Sequence, residues 1–224
     1  MLQFFSKYKF LAIVLLVLSV IIISSIYSIL KPTATLKIYQ PANVNFELVD
    51  STLQHVKKYH AIADFSLVNQ NGETITEADY KDKIYVADFF FTTCQTICPI
   101  MTDHMHQIQE ALKEDASVML LSHSVTPEID SVAQLKKYAI KKNVNDKKWN
   151  LLTGDKKQIY ELARKSYLVA KDSPESEFDL IHTENFVLVD TQKRIRGFYD
   201  GTNPEEIKQL LKDIEILKME ESFF

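Results

Sequence analysis

The chain has 224 residues, 46% hydrophobic and 25% charged, with a formal net charge of −4 and two cysteines. That length suggests one sizeable domain with additions, or two small ones. With Lys7 and Lys9 set aside, 24 basic side chains face 30 acidic ones beyond residue 30, and no basic stripe is present to neutralise phosphates, which argues against nucleic acid as a partner.

Residues 10–30 carry no charge. A helix of that length rises roughly 30 Å, about the thickness of a bilayer core. Residues 1–30 are therefore expected to be a membrane anchor rather than a cleaved signal peptide, since residues 24–30 offer no clear small-x-small cleavage site. Lys7 and Lys9 precede the span without an acid beside them. This predicts a single-pass protein of the cell membrane with its soluble part extracytoplasmic, on the periplasmic side in a bacterium. Residues 31–60 are polar, contain Pro32 and Pro41, and read as a tether with little structure before about Val56. Residues 61–224 are long enough for a single core.

Within that domain, residues 61–68 alternate, Asn69-Gln-Asn-Gly72 is a turn signature and residues 73–76 return, so an N-terminal β-hairpin is expected. Residues 84–91 are apolar on both faces apart from Asp88, the pattern of a central buried strand. Asp88 in such a strand requires a partner or a raised pKa. After a short polar turn, Met101, Met105, Ile108 and Leu112 recur at helical spacing. Proline is favoured at the first helical position, which places the helix start at Pro99, Cys98 near the N-cap and Cys94 in the turn above. Both thiols are then expected at the positive end of a helix, where thiolate is favoured over thiol.

A short apolar strand is predicted over residues 117–122, and a helix opened by Pro127-Glu-Ile-Asp130 that runs through Tyr138 to Lys142. Residues 149–154 read as a strand ending in a glycine turn, 156–166 as a helix, 186–190 and 195–199 as a second hairpin, and 204–219 as a final helix. Strand, helix, strand, helix implies parallel pairing. The order reads as α/β: a thioredoxin-like domain with an N-terminal β-hairpin extension, preceded by one transmembrane helix.

Four stretches together resemble a known family. They are Cys94-x-x-x-Cys98-Pro99 after a Phe-rich strand, Ser122-x-Ser-Val-x-Pro127, Trp149-x-Leu-Leu-Thr-Gly154, and His182 ahead of Phe186-Val-Leu-Val-Asp190. Over roughly residues 62–217 the chain resembles the Sco/SenC copper metallochaperones. The resemblance implies a thioredoxin-like fold anchored by one N-terminal helix. It also implies delivery of copper to the dinuclear copper site of cytochrome c oxidase, or reduction of that site's cysteines, with the copper-site subunit of the oxidase as partner. By the same resemblance Cys94, Cys98 and His182 are the copper ligands. Two thiolates and an imidazole form a soft set that suits Cu(I) and also holds Cu(II), whereas a structural zinc site takes a fourth protein ligand.

On spacing alone His182 reads as an ordinary surface or core histidine; the resemblance makes it a ligand, at a place where thioredoxins carry a cis-proline. Turning 100° per residue takes His104 away from Cys98, so His104 and His106 are expected in solvent. Met101 and Met105 share the face of Cys98 and are expected in the core. His123 reads as polar surface near the site mouth, and Asp103 as a charge partner for the helix start. Two positions depart from the family pattern: Gln95 stands where proline is common, and Thr126 where aspartate is usual before Pro127.

A purely structural disulfide is disfavoured, because closing three intervening residues removes little chain entropy. The alternative to a non-enzymatic chaperone is a thiol:disulfide reductase acting on the oxidase subunit or other exported proteins, with Cys94 and Cys98 as the redox pair. Against it stand the missing Trp-Cys-x-x-Cys pattern and the missing cis-proline. A peroxidase is poorly supported, since Ala87 and Phe91 occupy the places of the Pro and Thr of that signature.

Overall fold

The computed structural model describes residues 8–30, 35–44, 49–50, 52–170 and 183–222. The chain divides into two units, Met1–Ala34 and Thr35–Phe224. In the first, helix α1 (Lys9–Leu30) is uncharged after Lys9 and long and apolar enough to cross a membrane.

The second unit is built on seven strands: β1 (Ser66–Asn69), β2 (Thr74–Thr76), β3 (Ile84–Phe90), β4 (Val118–Ser124), β5 (Trp149–Thr153), β6 (Asn185–Val189) and β7 (Ile195–Asp200). They form one sheet in the order β2-β1-β5-β4-β3-β6-β7. Strands β3, β4 and β5 run parallel, while β6 and β1 pair antiparallel on either side of them. All seven residues of β3 are buried, as a strand covered on both faces requires. Val86 and Phe90 belong to one core with helices α2 (Ile97–Ala111), α3 (Val132–Lys141) and α5 (Pro204–Glu221). Tyr85, Ala87 and Phe89 belong to the other core, with α4 (Lys156–Glu161) and the π-helical turn Leu162–Ser166 that continues it. This is the mixed α/β, thioredoxin-like arrangement expected from the element order.

Several element boundaries differ from expectation, each for a local reason. The first hairpin strand begins at Ser66, five residues later than the alternation implied, because in the preceding stretch the backbone hydrogen bonds go elsewhere: Ile62 N–H to Lys193 O, and Phe65 N–H to the Glu77 carboxyl. Helix α3 starts at Val132 rather than at Pro127, with Ser131 as N-cap accepting from Gln134 N–H. A serine oxygen that satisfies a first-turn donor is the stronger start signal. Residues 35–44 fall in the span expected to be an unstructured tether, yet they are held to the domain. Tyr39 N–H donates to Ile195 O at 2.9 Å, and Arg196 donates to the carbonyls of Leu36 and Lys37. Arg196 is itself buried and ion-paired with Asp190 and Glu220.

The turn after β7 is tight against β6. Gly201 N–H donates to Glu184 O at 2.6 Å, and a Cβ at position 201 would meet Phe186 Cε1 at 2.6 Å and Glu184 O at 2.9 Å. Gly201→Ala should therefore lower stability by about 1–3 kcal/mol, the usual range for overpacking. Urea denaturation of the two proteins measures it, and unchanged stability would show that this turn yields freely.

Candidate metal centre

Strand β3 ends at Phe90, and residues 91–96 turn the chain into α2. Thr96 is the N-cap, so α2 starts at Ile97, two residues earlier than the sequence implied, and Pro99 occupies the third helical position. Proline fits there because the first-turn N–H groups have no intrahelical partner. Cys98 is then the second helical residue, directed into the core with Met101, Met105 and Phe90; it is 4% exposed. Cys94 sits in the turn, half-buried, its N–H donating to Phe91 O at 3.3 Å and its sulfur 3.6 Å from Thr96 Oγ1. Both thiols are free, and each shifts the other's ionisation.

The two sulfurs are not equivalent, contrary to the expectation that the helix end favours thiolate at both. At Cys94 slight burial raises the pKa, but hydrogen bonds from the Cys98 thiol, the Cys98 and Thr96 backbone and the Thr96 hydroxyl outweigh it and bring the thiol down to about 7. At Cys98 burial pushes the thiol up to about 12, reinforced by its bond to Cys94 and the nearby charges of Cys94 and Asp88. Desolvation beats the helix dipole at Cys98, although it lies in the first turn of α2. The pair presents one accessible thiol that ionises near neutrality and one buried thiol that keeps its proton.

Behind Cys98 lies the carboxyl of Asp88, fully buried, its pKa raised to about 7 by burial against the hydrogen bond that Ser122 Oγ donates to it. Trp149 Nε1–H donates in turn to Ser122 Oγ at 2.8 Å. The sequence-based requirement of a partner or a raised pKa is met on both counts. Thr102 Oγ1 ties the helix by donating to Cys98 O at 2.7 Å and meets Tyr138 OH at 2.8 Å.

The other expectations divide. Met101 and Met105 are fully buried core residues, as predicted. Asp103 pairs with Lys142 at 2.7 Å rather than with the helix start. His104 is 7% exposed, not in solvent, and its Nδ1 lies 2.7 Å from Gly201 O. The turn after β7 covers a helix flank that a wheel drawn for α2 alone leaves open. His123 is fully buried instead of lying on the surface. It stacks on Phe89 at 4.9 Å, within the core on the far face of the sheet from Cys98, and burial lowers its pKa to about 3. Its imidazole is a neutral core ring. His106 is half-buried, 3.3 Å from Gln109 Nε2. His182 lies outside the described residues. Sequence reasoning missed Asp130, which the structure buries at the foot of the cysteine turn; its only signal was an acid shortly after a Ser-Val-x-Pro stretch, and that read as a helix start.

The SCO1/SenC family model matches residues 53–217, most of the chain and both cysteines. The chain belongs to the SCO1/SenC family. The SCO1 protein homolog of Bacillus subtilis (strain 168) is 35% identical over 158 residues, 70% of this chain and 82% of the relative. BsSco, a member of the Sco family of cytochrome c oxidase assembly proteins in which a disulfide switch has been identified, matches at 34% identity and TM-score 0.60. That alignment covers 70% of this chain and 93% of its own. ScoI of Bradyrhizobium japonicum with copper bound matches at 29% identity and TM-score 0.55, over 69% of this chain and 98% of its own. These Sco structures share the thioredoxin-like arrangement described above.

Proposed function

We propose that this chain is a membrane-anchored copper carrier that delivers copper to the dinuclear copper site of cytochrome c oxidase, with Cys94, Cys98 and His182 as ligands. The observation that carries it is the thiol pair at the start of α2: two free sulfurs, one half-exposed and one buried, each near enough to shift the other's ionisation. Two such sulfurs offer a soft, water-shielded set for Cu(I). Copper is cargo here. It enters and leaves through Cys94, and Cys98 completes the site from the core side.

Three further points support the ligand set and the setting. Strand β6 pairs antiparallel with β3 through Ala87 and Val187, so the chain enters β6 at the end of the sheet where β3 leads into the cysteine turn. Copper is bound in ScoI, and BsSco belongs to the oxidase assembly proteins. Helix α1 supplies a span of sufficient length, and Lys7 and Lys9 before it favour an extracytoplasmic domain.

A second reading, thiol:disulfide reductase, is favoured by one observation, the half-exposed Cys94 thiol with its pKa near 7. In that reaction Cys94 and Cys98 lose two electrons and two protons to become a disulfide while the partner disulfide is reduced, and no thiolate is left for copper. Transfer separates the two readings. Loaded with Cu(I) and mixed with a partner carrying a reduced dithiol site, the chain should pass copper across with its own cysteines still reduced. If the metal-free chain rapidly reduces a partner disulfide while the loaded chain retains its copper, the carrier reading fails. His182→Ala should weaken Cu(II) binding more than Cu(I) binding, because imidazole suits the harder ion, as parallel titrations with the two ions would read.

A further inference from the structure

Asp130 is fully buried. Its two carboxyl oxygens accept from Thr92 N–H at 3.1 Å, Thr92 Oγ1 at 2.5 Å, Ser124 Oγ at 2.6 Å and Thr126 Oγ1 at 3.1 Å. None of these donors is charged. Thr92 stands two residues before Cys94, while Ser124 ends β4 and Thr126 and Asp130 lie in the connection from β4 to α3. Gln134 Nε2 donates to Thr92 Oγ1 at 3.0 Å, and Val125 N–H donates to Phe90 O at 2.9 Å. The entry of the cysteine turn is thus fixed at Phe90 and again at Thr92. Its exit is fixed by α2. Residues 93–96 are the span left between the two anchors.

That span serves two sulfur geometries. A disulfide holds its sulfurs about 2.05 Å apart, whereas two sulfurs on one metal ion, each bonded at roughly 2.3 Å, stand more than about 3 Å apart. Ordering a loose turn for either state costs conformational entropy, and a turn held in advance avoids much of that cost. We infer that Asp130 is the positioning residue of the copper site, and that by tying down Thr92 it sets both the copper affinity and the thiol–disulfide equilibrium of Cys94 and Cys98. It touches neither sulfur. Thr126 has a part in this, because its hydroxyl donates to the carboxyl where the acid usual in the family would place a second buried negative group. The inference rests on the copper-site reading above for its first readout and is independent of it for its second.

The test uses the full-length chain and the variants Asp130→Ala, Asp130→Asn and Thr92→Val, with Leu217→Ala as a core variant destabilised from α5. Cu(I) affinity is measured by competition with a chelator, and the disulfide equilibrium by titration in a dithiol redox buffer. Asp130→Ala and Thr92→Val should each lower Cu(I) affinity at least tenfold and make the disulfide at least tenfold easier to reduce, about 30 mV for a two-electron couple. Combined, they should fall well short of additivity, since both cut the same tie. Asparagine keeps an oxygen for Thr92 N–H and should recover much of both. Leu217→Ala should lower stability and move neither readout. If Asp130→Ala does not fold, Thr92→Val decides. Thr92→Val within twofold of wild type in both readouts, or Leu217→Ala reproducing the expected shifts, would overturn the inference. Failure of the wild type to bind Cu(I) would overturn the copper-site reading instead, with the disulfide equilibrium still judging Asp130.

Discussion

Alkylation of the reduced, metal-free chain at pH 7 should mark Cys94 a few hundred times faster than Cys98. Cys94, with its pKa near 7, is about half thiolate there, whereas Cys98, pushed to about 12, is thiolate in roughly one molecule in 10⁵. Lower basicity makes a thiolate a weaker nucleophile, with a Brønsted slope of about 0.4–0.5 that returns roughly two orders of magnitude to Cys98. A few hundredfold remains, and the 4% exposure of Cys98 widens it. The two profiles also differ in shape. Labelling of Cys94 should level off above about pH 8, while labelling of Cys98 should go on rising about tenfold per pH unit beyond pH 10. Cu(I) should suppress both. Time-resolved mass spectrometry of the labelled peptides reads all of this, and equal rates at pH 7 would show that the buried sulfur is not held protonated by its surroundings.

That asymmetry marks where sequence reading stops. The apolar run of β3, the 3.6-residue spacing of Met101, Met105 and Ile108, and the proline beside Cys98 are local signals, and local signals located the helix, the central strand and the two sulfurs. What they could not supply is depth. The dipole argument applied to both cysteines alike, because the helix end is visible in sequence while the 4% exposure of Cys98 results from α2, α5 and β3 meeting around it. His104 and His123 fail for the same reason. A helix wheel and an alternation pattern describe one element, and the groups that bury these rings, the turn at Gly201 for one and Phe89 and Tyr167 for the other, come from distant parts of the chain. The role of Asp130 was also out of reach, since its partners Thr92 and Ser124 lie 38 and 6 residues away in sequence. Asp88 was the exception. A lone acid in an otherwise apolar strand announces its own cost wherever the rest of the fold lies.

Asp88→Asn should make the protein more stable above pH 7 and leave it little changed at pH 4. The carboxyl is fully buried and its pKa is raised from 3.8 to about 7, by burial first, with the Ser122 hydrogen bond opposing. Between those two values the folded chain keeps a proton that the unfolded chain releases, so stability falls as pH rises across that window and is lowest above pH 7. At about 1.36 kcal/mol per unit, the loss approaches about 4 kcal/mol. Asparagine is never charged and retains an oxygen for Ser122 Oγ, so its stability should be flat over the same range. Urea denaturation at pH 4, 5.5, 7 and 8.5 gives the two curves; parallel curves would show that Asp88 is not the group whose burial strains the fold. A carboxyl that costs this much behind a sulfur has a consequence there as well. Its charge is one of the influences holding the Cys98 thiol up, so Asp88→Asn should also bring Cys98 down and speed its alkylation at a fixed pH. The more stable variant should hold its second thiol less firmly protonated, and stability and thiol reactivity measured on one protein should move together.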